Sequence, residues 1–156
     1  MRMKKLAAVF AGISLLILMP DKLSATVARA NLIGKWDCKS STYFDWGTIF
    51  EKSVTDLRED GTGYTNGTAS FLFTDAQPRN YQVMGSANWS LSGNSWTTQY
   101  KSFQATQIGP NHDQNSIDLN QAVELGTIFS GEILKLNQQE AVFLFDMGTI
   151  SYCSKL

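Results

Sequence analysis

Alternation of apolar and polar residues with a period of two recurs from about residue 33 to the end of the chain, and no stretch keeps a convincing helical period. The clearest run is 81–92. There Tyr81, Val83, Gly85, Ala87, Trp89 and Leu91 share one face, and Gln82, Met84, Ser86, Asn88, Ser90 and Ser92 share the other. A strand of this kind sets one face on a core and the other in water. The turn Ser92-Gly93-Asn94 then feeds a partner strand over 95–103, with Trp96, Thr98 and Tyr100 on a common face, which makes a hairpin.

The same pattern places a half-buried first strand at 33–40, where Trp36 and Cys38 alternate with Lys35, Asp37 and Lys39. A segment holding Tyr43, Phe44 and Trp46 reads as an aromatic loop before a second strand at 48–57. Glu59-Asp60-Gly61 signals a tight turn, and the strand at 62–73 carries Gly63 and Gly67, which suggest a bulge or a close backbone approach. A polar loop covers 111–120, and 116–129 is compatible with either a strand or a short helix. Strands at 132–136, 141–146 and 149–153 close the chain. The expectation is a single small all-β domain of about eight antiparallel strands. These close into an up-and-down barrel that is either packed full or holds one small ligand.

The N-terminus does not fit that pattern. Arg2, Lys4 and Lys5 precede an apolar run over 6–19, and a short polar stretch ends in Ala28-Arg29-Ala30. This is the order of a secretory signal peptide, with small residues where a signal peptidase reads. Residues 1–30 are therefore expected to be removed, leaving the barrel domain at 31–156, periplasmic or secreted from a bacterium. The apolar run is shorter than the ~20 residues a membrane-spanning helix needs, which argues against an uncleaved anchor, and no second apolar stretch of that length follows, so no stable membrane insertion of the mature chain is expected.

Export changes the charge. Five of the thirteen Lys and Arg lie in residues 1–30, against one of the fourteen Asp and Glu, so 31–156 carries eight basic and thirteen acidic residues, a net charge of −5. Nucleic acid and anionic lipid are poor partners for such a chain, because it offers no basic patch to replace their counterions. The two cysteines, Cys38 and Cys153, read as a disulfide in an oxidising compartment, which requires the first and last strands to be neighbours. One detail conflicts. Simple alternation puts Cys153 with Thr149 and Ser151, the more polar face, whereas Cys38 shares a face with Trp36. A bulge at Gly148 or a bend beyond Tyr152 would reconcile them.

Leu32-Ile33-Gly34-Lys35-Trp36 resembles the Gly-x-Trp opening of lipocalin and related calycin barrels. The turn Glu59-Asp60-Gly61-Thr62, Trp89 before the Ser-Gly-Asn turn, and Ile133 and Leu136 in a final hairpin add to it. The resemblance is to bacterial exported lipocalin-like domains and spans nearly all of 31–156. It implies a barrel in which Trp36 packs across the closed end.

Catalytic groups are sparse. His112 is the only histidine and sits in the polar loop, the serines lack an activating partner in any recognisable motif, and Glu59-Asp60 flanks a turn glycine. No enzyme activity, metal or cofactor is called for. The aromatic residues Trp36, Phe71, Tyr81, Trp89, Trp96 and Tyr100 are candidates to line an interior ligand site. Gly85 and Ala87 leave a gap in side-chain volume between Tyr81, Val83 and Trp89, which is either a cavity or a slot for a bulky neighbour. The leading expectation is a binding protein enclosing a small apolar or aromatic ligand. The alternative is a protein-binding module, such as an inhibitor of an exported hydrolase or an immunity protein, that uses Tyr43, Phe44 and Trp46 as anchors.

Overall fold

A computed structural model describes residues 25–74, 77–109 and 118–156. A helix, α1 (Ala25–Leu32), leads into eight strands: β1 (Gly34–Phe44), β2 (Gly47–Leu57), β3 (Thr62–Phe73), β4 (Arg79–Ser92), β5 (Ser95–Ile108), β6 (Ile128–Leu136), β7 (Glu140–Phe145) and β8 (Ile150–Lys155). A four-residue helix, α2 (Leu119–Ala122), stands between β5 and β6. Each strand pairs antiparallel with the next, and β8 returns to β1, so the sheet closes as an up-and-down barrel in strand order. The expected fold class is present. His112 and the signal segment up to residue 24 lie outside the described residues.

The strand limits explain several local expectations. β1 runs through Tyr43 and Phe44, so the expected aromatic loop is instead the end of a strand and a two-residue turn, Asp45-Trp46. β5 runs to Ile108 and β6 starts at Ile128, both longer than the alternation suggested. Of the uncertain segment 116–129, the described residues 118–129 hold α2, a short connection and the first residues of β6. Gly93 holds φ +60 in the tight β4–β5 turn, a conformation that suits glycine. At Gly67 the structure selects the close approach over the bulge. β2 and β3 pair without a register shift there, and a Cβ on Gly67 would lie 2.6 Å from the Cα of Ser53. The irregularities fall elsewhere, at Ser86/Ala87 and Ile133/Lys135.

Two apolar clusters stack along the barrel. The lower one closes the end from which β1 starts: Leu32 and Trp36 are buried with Leu57, Trp89, Trp96, Ile133 and Phe143. The indole N–H of Trp36 donates to the Leu32 carbonyl at 2.7 Å, and that of Trp89 donates to the Thr62 carbonyl at 2.9 Å. The polar edge of each ring is thus satisfied while its body is dry. From α1, Arg29 lies 4.3 Å over the Trp89 ring and donates to the Glu59 carbonyl, which ties the helix under the barrel. The upper cluster, with Phe71, Tyr81, Val83 and Leu119, lies toward the opposite end.

β5 and β6 pair only from Ser95 to Gln99, which leaves the rest of β5 without a strand on that side. The connection between them covers this edge. The Asn120 side chain accepts from the Ala105 N–H and donates to the Ala105 carbonyl, so its amide imitates a strand neighbour, and the Gly126 N–H donates to the Tyr100 carbonyl.

Candidate functional site

Above the lower cluster the barrel is hollow, with a cavity of about 550 Å³. It lies between the plugged end and a mouth formed by the β1–β2 and β7–β8 turns and α2, whose Trp46, Met147, Leu119 and Val123 line it. This volume falls in the range of small-molecule sites. The gap at Gly85 has a double answer. The Tyr100 ring packs within 3.3 Å of where a Gly85 Cβ would be, and both residues still border open space.

Two unlike walls face each other across the cavity. One is aromatic: Tyr100 meets Phe103 and Phe129 edge-on, at 5.9 and 5.8 Å between ring centroids, and Phe143 and Phe145 continue it on β7. The other is polar and runs across β8, β1 and β2. In register order, Ser151 stands beside Ser40 and Ser40 beside Glu51, while Cys153, Cys38 and Ser53 form the next row toward the plugged end. Hydroxyls pair across the β1–β8 seam, Ser40 donating to Ser151 at 2.9 Å and Thr42 meeting Thr149 at 2.6 Å. Such pairing lets hydroxyls face inward at low cost.

This wall corrects the reading of β8. Thr149, Ser151 and Cys153 all face the interior, Tyr152 is exposed, and neither a bulge at Gly148 nor a bend beyond Tyr152 is needed. Cys38 and Cys153 are register partners and form the disulfide. The face that looks polar in the sequence is therefore an inner one.

Glu51 is the residue that sequence reasoning missed. Its residual exposure is to the cavity, and burial pushes its carboxyl pKa above the ordinary value, with the Ser53 hydroxyl opposing the shift. Burial and the nearby Glu51 charge push the Tyr100 phenol up to about 12. The available signal was the alternation of β2 itself, Ile49, Glu51, Ser53, Thr55 and Leu57, which ends on a buried leucine.

Burial of this carboxyl has a consequence for stability. A carboxyl whose folded pKa is raised binds its proton more tightly in the folded state, so its contribution is most favourable below the unfolded value and is lost as pH rises through the folded one. In urea unfolding at a series of pH values, the wild type should lose stability above about pH 4.5 relative to Glu51→Gln, which removes the titration. Parallel pH profiles for the two proteins would show that Glu51 is not desolvated.

Of the expected ligand residues, Trp36, Phe71, Trp89, Trp96 and Tyr100 border the cavity, the three tryptophans at its plugged end. Tyr81 does not border it. It is buried, edge-on at 5.4 Å to Phe71, which does line the cavity. The expected partner-binding residues separate. Trp46 turns over the mouth, stacked between Phe44 at 4.7 Å and Phe73 at 5.6 Å, whereas Tyr43 points outward and is 71 % exposed. Among the described residues no cluster of three or more His, Cys, Asp or Glu could hold a metal ion. The Glu59-Asp60 pair serves its turn: Asp60 accepts from the backbone and hydroxyl of Thr62, which holds its carboxyl below the usual range.

No protein-family model and no curated protein sequence matches the chain. Among solved structures it is similar to a lipocalin-like protein from Bacteroides uniformis ATCC 8492, at 20 % identity over 81 % of this chain and 99 % of that one, with a TM-score of 0.44. The eight antiparallel strands close in sequence order with Trp36 across the plugged end, so the architecture is that of an eight-stranded up-and-down β-barrel.

Proposed function

We propose that the protein is an exported, non-enzymatic binding protein that holds one small, largely apolar or aromatic ligand inside the barrel. The observation that carries this reading is the cavity of about 550 Å³, plugged at one end, open at the other and walled on one side by aromatic rings. Interiors without a ligand to accommodate are packed to crystal density, so a void of this size, kept at the expense of core contacts, supports a binding role. Export accords with the Cys38–Cys153 disulfide. Cleavage before Asn31 keeps Leu32 and Trp36 in the chain and removes, with most of α1, the Arg29 contacts to Trp89 and Glu59. The intact mass of protein recovered from the periplasm reads the cleavage directly, and a chain that retains residues 1–30 would contradict it.

Nile red, a neutral apolar fluorophore, tests the cavity. It should bind the wild type at one site with a rise in emission. Ala69→Phe should abolish uptake, because Ala69 is the inward-facing neighbour of Glu51 on β3 and a benzyl group there occupies the middle of the void. Uptake unchanged by that substitution would place the dye on the outer surface and remove the reading.

A further inference from the structure

We propose that the ligand carries a protonated amine, which Glu51 receives while the ligand's apolar body lies against the aromatic wall. This rests on the reading of the cavity as a ligand site and specifies the chemistry that the site selects. Among the described residues, Glu51 and Tyr100 are the only ionisable ones bordering the cavity, the two cysteines being joined, so this lining holds one acid and no Lys, Arg or His. A carboxylate in a low-dielectric cavity is costly unless it is paired, and a ligand cation supplies the pair.

The surroundings of Glu51 suit an ammonium group. On β1, Ser40 stands beside it in register, with Ser151 next on β8, and Ser53 follows it on its own strand, so hydroxyl oxygens lie around the carboxyl to accept the remaining N–H donors. On β3 its register neighbour is Ala69, which adds no charge and leaves room. Across the cavity, Tyr100, Phe103 and Phe129 present ring faces and edges that accommodate an apolar body.

A separate observation points the same way. Around the mouth, Asp45, Asp118, Glu124 and Asp146 stand against Arg79 among the described residues, and residues 31–156 carry a net charge of −5. This field draws cations toward the opening and repels anions. A fatty-acid carboxylate would meet repulsion at the mouth and again at Glu51.

The test uses three probes with one skeleton, 4-phenylbutylamine, 4-phenylbutanol and 4-phenylbutyrate, titrated calorimetrically into the wild type and Glu51→Gln. A charge-assisted hydrogen bond out of water is worth roughly a ten- to hundred-fold preference. The wild type should bind the amine over the alcohol by that factor and the butyrate weakest, while Glu51→Gln should bring the amine to the level of the alcohol. In the wild type alone, lowering the pH through the Glu51 titration should weaken the amine and leave the alcohol unchanged. The amine keeps its charge over that range, and Tyr100, the other ionisable lining group, stays neutral. Equal binding of amine and alcohol overturns the amine assignment and leaves the apolar site standing. Failure of all three probes together with Nile red overturns both.

Discussion

Trp36→Ala should lower the stability of the fold by about 3–5 kcal/mol, the range for removing a fully buried tryptophan. Trp36 is 1 % exposed at the centre of the plugged end, its indole N–H satisfies the carbonyl of the wholly buried Leu32, and the Lys155 ammonium lies 5.0 Å over its ring. Truncation opens a cavity against Trp89 and Trp96 and strands that carbonyl. A domain of this size has a total stability of about 5–15 kcal/mol, so such a loss leaves little margin. Urea unfolding followed by the fluorescence of the remaining tryptophans measures it. Trp46→Ala is the comparison, since Trp46 sits at the mouth, is 44 % exposed, and costs much less to remove. Equal losses from the two substitutions would mean that the plugged end does not anchor the barrel.

The lower half of the molecule was readable in the chain because its alternation is unmixed. At Trp89 and Leu91 of β4, and at Trp36 and Trp96, the apolar residues face in, as the period-two pattern requires. The hollow half was harder, for a physical reason. A packed interior selects apolar residues, whereas the wall of a cavity can be polar when its hydroxyls pair across a strand seam, as Ser40 with Ser151 and Thr42 with Thr149 do. On β2 both faces are mixed, with Phe50 and Val54 outward and Glu51 and Ser53 inward, so polarity alone could not assign Glu51 to the interior. Tyr81 shows the converse: its inward direction was clear, but alternation does not tell a residue packed among inward neighbours such as Phe71 from one that lines the cavity. α2 spans too few residues for a helical period to register.

Removing the disulfide, as Cys38→Ala with Cys153→Ala, should destabilise the barrel by as much as about 4–5 kcal/mol, since the bond spans 115 residues and restricts nearly the whole unfolded chain. The bond joins β1 to β8, where the sheet closes, and the paired hydroxyls of the polar wall lie on that seam immediately above it. Loss of the bond should therefore act on binding as well as on stability. When the seam opens more readily, Ser40 and Ser151 are held less firmly beside Glu51, so the preference for 4-phenylbutylamine over 4-phenylbutanol should shrink while Nile red, held by the aromatic wall, is still taken up. Urea unfolding under oxidising conditions reads the first effect and the paired titrations read the second. An unchanged unfolding midpoint would show that strand pairing alone closes the barrel. A reduced midpoint with an undiminished amine preference would show that Glu51 receives the amine without the seam hydroxyls.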